Sequence, residues 1–270
     1  MKLACNYYPE TEALVRAGKI DIDYFKFPAL GYQMDILSDE DAFAGFAARV
    51  GALRPILLHG LYPSTHDVSS PALAEAFDFA AMDRFIRMTE TPGVSFHPGP
   101  GKDGLGVIIK NLRFLSERYA HMDFVSVENI PPTPCDNPLA QPEVITEMVT
   151  QSGCSLLLDI SHAYCAARAL GEDFRAYLSK LPLEHIYEIH INGWIEKGPD
   201  IMCHVKINEL GYQVLEELLQ CCDPKIITIE YGRDVDRIGA GSPIMRADRM
   251  NAQAEDEIVE QVARIREIME

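Results

Sequence analysis

Six polar side chains recur at one kind of place in this sequence. His59, His97, Glu128, Asp159, His190 and Glu230 each stand at or near the end of a short apolar run, in "PILLHG", "VSFHPG", "DFVSVEN", "CSLLLDI", "IYEIHIN" and "KIITIEY". Carboxylates brought together repel, and buried ones are costly unless paired or bound to a cation. Imidazoles and carboxylates together are the usual nitrogen and oxygen ligands of Zn, Fe or Mn, and no CxxC pair competes with them here. Two more histidines join the set by spacing: His162, three residues after Asp159 in "LDISHAY", and His204 in "MCHVKINE". Eight such groups exceed the needs of one ion. They point to two or three metal ions with a bridging carboxylate such as Glu128. Taken singly, each residue has a plainer reading: Asp159 as a helix N-cap, Glu230 as a partner of Arg233, a histidine as a hydrogen-bonded structural residue. Taken together, that reading needs six coincidences of position.

Around this set, Glu128, Glu230 and His162 are the candidate catalytic groups. Asn129 and Asn192 follow Glu128 and His190 by one and two residues and can orient ligands or substrate, or simply form turns. Trp194, the single Trp, can stack on a ligand or cap the core. After Glu230, Arg233 opens a segment that also holds Arg237, Arg246 and Arg249, a lid for an anionic substrate or a surface loop neutralised by Asp234, Asp236 and Asp248. His66, His121 and His185 fall away from strand ends and are assigned to the surface.

The elements that position these groups follow from the same runs. Strands are predicted at 2–6, 22–27, 55–60, 94–99, 123–129, 154–160, 186–192 and 225–231, with helical spacing between them, as in "SDEDAFAGFAARV" and "NELGYQVLEELLQ". Continuous apolar strands need cover on both faces, so eight β-then-α units predict an α/β protein, a (β/α)8 TIM barrel, in a single domain over 1–270. The first βα turn lacks GxGxxG, which argues against an open doubly wound sheet. In a barrel the C-terminal strand ends meet at one mouth, where this fold builds active sites.

The 270 residues carry a formal net charge of −17, which argues against nucleic acid, since phosphate neutralisation supplies most of that binding. The expected partner is a small-molecule or peptide substrate. No run of eighteen uncharged apolar residues and no signal-like N-terminus is present, and seven Cys, two of them adjacent, fit a reducing compartment; the expectation is a cytoplasmic protein without a membrane partner.

The strand-end motifs "LLHG", "FHPG", "VEN", "LDISHA", "EIHING", "CH" and "IEYG" resemble, in order, those of endonuclease IV-type enzymes of the xylose-isomerase-like TIM-barrel superfamily. The stretch "GCSLLLDISHAYCAARALGEDFRAYLSKLPLEHIYEIHINGW" resembles more closely the multinuclear non-heme iron-dependent oxidative enzymes of methanobactin-biosynthesis type. By that resemblance His59, His97, Glu128, Asp159, His162, His190, His204 and Glu230 are metal ligands. Glu128, Asp159, His190 and Glu230 hold the central metal, and the reaction is oxidation of a cysteine-containing peptide with O2. Iron is the metal implied, while the ligand set itself also suits Zn or Mn. The alternatives are an endonuclease IV-like phosphodiester hydrolase and a one-metal sugar isomerase or epimerase with Glu128 and Glu230 as acid/base pair. The chain departs from both branches where they place an Asp two residues before the histidine of the strand-seven loop: here it is Met202. The iron branch also tends to carry a His at the position of Trp194.

Overall fold

The computed structural model describes residues 1–28, 36–37, 39–61, 67–99, 103–132, 137–197, 200–232 and 254–270. Strands β1 (Lys2–Asn6), β2 (Tyr24–Phe27), β3 (Ile56–His59), β4 (Gly93–Phe96), β5 (Phe124–Glu128), β6 (Ser155–Asp159) and β7 (Ile186–Ile191) are followed by β8 (Gly193–Lys197), β9 (Asp200–Val205) and β10 (Ile226–Ile229). All except β8 and β9 form a closed parallel barrel in the order β1-β10-β7-β6-β5-β4-β3-β2. The fold expected from the eight runs is the fold observed. Strands such as "ILLH" and "IITI" are buried throughout, as they must be with helices outside and side chains filling the interior.

The helices begin and end where local chemistry stops them. Asp39, Asp78, Asp159, Asp173 and Asn208 each accept a backbone N–H of the first turn, and Gly153 and Gly171 close two helices in the left-handed conformation. The run "PALAEAFDFAAMDRFIRM", one helical stretch by spacing, is two helices, Leu73–Ala76 and Phe79–Thr89, because Asp78 caps the second through Ala81 N.

Side chains alternate along each strand, so the barrel interior is stacked in layers. At the bottom, Ala4, Leu57, Phe124 and Ile226 form an apolar cluster separate from the main core. Two residues further along come Lys26, Ser95, Glu188 and Thr228, all buried. Two beyond Ser95, Glu188 and Thr228 come His97, His190 and Glu230, joined by Glu128, four beyond Phe124, and His59, two beyond Leu57. A register shift between Leu156 and Leu157, where Ile186 pairs with one and Glu188 with the other, leaves Tyr187 extra and sets the phase that turns Glu188 and His190 inward.

A second element differs from the sequence expectation. The stretch after β7, read as a long loop carrying His204, is an antiparallel hairpin of β8 and β9. Among the described residues no helix is long and apolar enough to cross a membrane.

Candidate metal centre

The structure gathers His59, His97, Glu128, Asp159, His162, His190, His204 and Glu230 at the mouth of the barrel. Two groups of donor atoms lie within 4.8 Å of one another: His59, His97 and Glu128, and Glu128, Asp159, His190 and Glu230. Glu128 belongs to both.

In the first group Glu128 Oε2 is 3.1 Å from His59 Nε2 and 3.0 Å from His97 Nε2, and the two nitrogens are 3.2 Å apart. Ligands at about 2.0–2.1 Å from a tetrahedral ion sit roughly 3.3 Å from one another. The triangle has that edge length. In the second group His190 Nδ1 lies 3.2 Å from Glu230 Oε2 and 3.7 Å from Glu128 Oε1. Glu128 Oε1 and Oε2, His190 Nδ1 and Glu230 Oε2 are buried without a hydrogen-bond partner. Four orphaned atoms facing one another are expensive in a protein interior, and a cation among them removes the cost. The residues present fit a metal centre.

The imidazoles are oriented from behind, as metal ligands require. His59 Nδ1 is 2.8 Å from Ser95 Oγ, His162 Nδ1 3.0 Å from Asn129 O, His204 Nδ1 3.2 Å from Glu230 O and His190 Nε2 3.2 Å from Glu188 Oε1. His162 and His204 fall outside both groups: His162 Nε2 is 3.9 Å from Asp159 Oδ2, and His204 Nδ1 is 3.4 Å from Glu230 Oε2. His162 also meets the shared carboxylate, with Nδ1 3.2 Å from Glu128 Oε1, and its ring centroid is 5.7 Å from that of His204. Where the resemblance leads one to expect a further carboxylate, the chain has Met202, an apolar side chain that is buried. His204 reaches its place through a left-handed backbone, φ 63°, an uncommon conformation for a residue with a Cβ.

Asp159 performs both roles open to it. Its Oδ1 accepts from His162 N at 2.8 Å and from Ser161 Oγ at 2.7 Å, capping the helix Ile160–Leu170. Its Oδ2 accepts from Asn192 Nδ2 at 2.9 Å and stays on the side of the donor groups. Asn129 brackets the same residue, donating to Asp159 O at 3.0 Å and accepting from Asp159 N at 2.7 Å, while Asn192 Oδ1 accepts from His204 N at 2.8 Å. Both asparagines are buried and spend their amides on Asp159 and the His204 backbone. Trp194 is 6% exposed and stacks on Tyr164 at 4.6 Å with Phe174 edge-on, which is core packing. His121 and His185 are exposed, as expected. Arg233, Arg237, Arg246, Arg249 and His66 lie outside the described residues.

Burial and crowding shift the proton affinities of the metal-free chain. Burial, helped by neighbouring His97, pushes His59 down to about 4, so it is neutral at pH 7. Burial opposes protonation of His190 too, but Glu230 and Glu188 outweigh it and raise it to about 10. For Glu128, burial is overcome by His97, His162 and His59, which hold its carboxyl well below the usual range. Burial raises Asp159, reinforced by Glu230 and Glu128.

Sequence reading passed over the layer beneath. Lys26 Nζ lies 2.7 and 2.8 Å from the Glu188 carboxylate oxygens and 3.0 Å from Ser95 Oγ. The available signal was a charge inside each of two apolar runs, Lys26 in "IDYFKF" and Glu188 in "IYEIHIN", two places before Pro28 and His190. Cys165 Sγ and Cys203 Sγ, 3.4 Å apart, were also passed over; they sit where the hairpin meets helix Ile160–Leu170.

Residues 109–241 match the family of RiPP precursor modification enzymes MbnB/TglH/ChrH. The resemblance holds. The matched stretch contains Glu128, Asp159, His162, His190, His204 and Glu230, while His59 and His97 precede it. Curated relatives include a UPF0276 protein of Chromobacterium violaceum, 29% identical over 121 residues, covering 44% of this chain and 42% of that one. A UPF0276 protein of Bordetella pertussis is 45% identical over 51 residues, covering 19% of this chain and 18% of the other. The chain thus matches less than half the length of these relatives. Among solved structures, a xylose isomerase domain-containing protein of Salmonella typhimurium superposes with TM-score 0.64 at 15% identity, covering 100% of this chain and 97% of the other. D-psicose 3-epimerase of Clostridium cellulolyticum gives TM-score 0.60 at 14% identity and 100% coverage of both chains. At such identity these two speak for the (β/α)8 barrel fold alone.

Proposed function

We propose that the chain is a multinuclear metal-dependent enzyme that oxidises a thiol of a cysteine-containing peptide with O2, using iron. The observation that carries this reading is the shared Glu128, whose buried oxygens face different histidines, Oε2 toward His59 and His97 and Oε1 toward His162 and His190. Family resemblance supplies the class of substrate, a ribosomally made precursor peptide. Bound iron would supply one-electron exchange with O2 and an anchor for a thiolate.

The chain's own residues do the rest. Glu128 ties two donor groups into one unit. Asp159, His190 and Glu230 surround the inner position with buried donors, and His97, whose side chain is 52% exposed, leaves the outer position facing solvent, where a peptide side chain can approach. Against its burial, Asp159 and Glu128 hold His162 protonated in the metal-free chain; with those carboxylates bound to a cation, its Nε2 would be freed to accept the thiol proton. The net charge of −17 favours a peptide over a polyanion and counts against the phosphodiester hydrolase.

The test is elemental analysis of aerobically purified protein followed by oxygen-electrode measurements with cysteine-containing peptides. The expected result is about two iron ions per chain and thiol-dependent oxygen uptake. Zinc-loaded protein without oxygen uptake would overturn the oxidative reading. About one metal per chain together with sugar epimerisation would put the isomerase in its place.

A further inference from the structure

Beneath the donor groups, the barrel interior holds an ion pair where apolar side chains would pack without penalty. Lys26 is 1% exposed and Glu188 0%. Two charges taken out of water lose several kcal/mol of hydration each, and a well-packed apolar pair is often as stable or more so. Stability alone therefore does not account for the pair. Its hydrogen bonds suggest what does.

All three Lys26 N–H groups are engaged: two with Glu188 Oε1 and Oε2, at 2.8 and 2.7 Å, and one with Ser95 Oγ at 3.0 Å. Glu188 Oε1 also accepts from Thr228 Oγ1 at 2.5 Å and lies 3.2 Å from His190 Nε2. A carboxylate paired with an ammonium only accepts, so the His190 nitrogen facing it must be the donor. His190 is then held with its hydrogen on Nε2, and Nδ1 is aimed at Glu230 Oε2 and Glu128 Oε1. On the other side, Ser95 Oγ, fixed by Lys26, meets His59 Nδ1 at 2.8 Å and leaves Nε2 aimed at Glu128 Oε2. One donor of each group is thus anchored to the same pair.

We propose that Lys26 and Glu188 are positioning residues of the metal centre: Glu188 fixes the ring nitrogen that His190 presents, and Lys26 links that choice, through Ser95, to the orientation of His59. This rests on the metal-centre reading above and assigns the pair a task that reading does not need.

Zinc(II) titration of the full chain separates the two ideas. If the wild-type chain binds no Zn(II), the metal centre itself fails. If it binds, K26M/E188L, which replaces the pair by apolar side chains, is expected to stay folded while Zn(II) affinity falls roughly 10–100-fold, the usual cost of losing an outer-shell partner. The Co(II)-substituted variant is expected to show shifted visible bands. E188Q, which keeps the shape but not the charge, is expected to recover part of the loss. In the zinc-loaded wild type, nitrogen-15 NMR is expected to find the His190 proton on Nε2. A proton on Nδ1, or a folded double variant with wild-type affinity and bands, would overturn the proposal. Should the double variant fail to fold, E188Q and the wild-type NMR measurement decide.

Discussion

The two donor groups share Glu128 and differ in what encloses them. One has three donors, and His97 stands half in solvent; the other has four, all buried. Catalytic metal sites keep a position free of protein ligands, while closed four-donor sites do not. On the proposed function, the contrast would give exchange and substrate contact to the outer group and a holding role to the inner one. It also explains why His59 is neutral in the metal-free chain while His190 is protonated: His190 lies against the Glu230 and Glu188 carboxylates, whereas His59 adds burial to the crowding of His97.

Glu128→Gln should break the comparison outright, because the residue serves both groups. The expected loss is of both equivalents, with affinity down by more than the roughly 10–100-fold that an outer-shell change costs, read by elemental analysis after dialysis. Retention of one tight equivalent would show that Glu128 does not bridge. Next in size, His97→Ala should remove only the outer equivalent and His190→Ala only the inner, so paired Co(II) titrations would give complementary spectra; identical losses would merge the groups into one site. Asn192→Ala should have a narrower effect. It deprives Asp159 Oδ2 of its donor and His204 N of its acceptor. About 1–3 kcal/mol of stability and roughly 10–100-fold in inner-group affinity are expected, from denaturant midpoints and Zn(II) titration.

The smallest effect is protonic. A metal entering the inner group displaces a proton from His190, raised to about 10, whereas His59, lowered to about 4, has none to release at pH 7. Inner-group affinity should therefore climb as pH rises from 7 toward 10. Calorimetry of Zn(II) binding in buffers of different ionisation enthalpy should count about one proton more for the inner equivalent than for the outer. Equal counts would contradict the contrast.

The barrel and the rim were legible because both rest on local pattern. Short apolar runs mark strands, and a polar residue at the end of each run marks the mouth. What local pattern does not encode was not legible. Lys26 and Glu188 are 162 residues apart, and neither run hints at the other's charge. The hairpin read as a loop because "GWIEKGPDIMCHV" carries Gly-Pro-Asp at its centre, while its flanks pair only with each other. The double role of Asp159 needed coordinates, since capping and facing the donors use different oxygens of one carboxylate.

The stacked interior makes this barrel a cup with a sealed floor. Lys26, Ser95, Glu188 and Thr228 rest on Ala4, Leu57, Phe124 and Ile226, and the strands close around them without a gap in the ring. Among the described residues the floor offers no way through, so on the proposed function whatever enters or leaves would do so at the rim, past the half-exposed His97, and the occupant there would set the order of traffic.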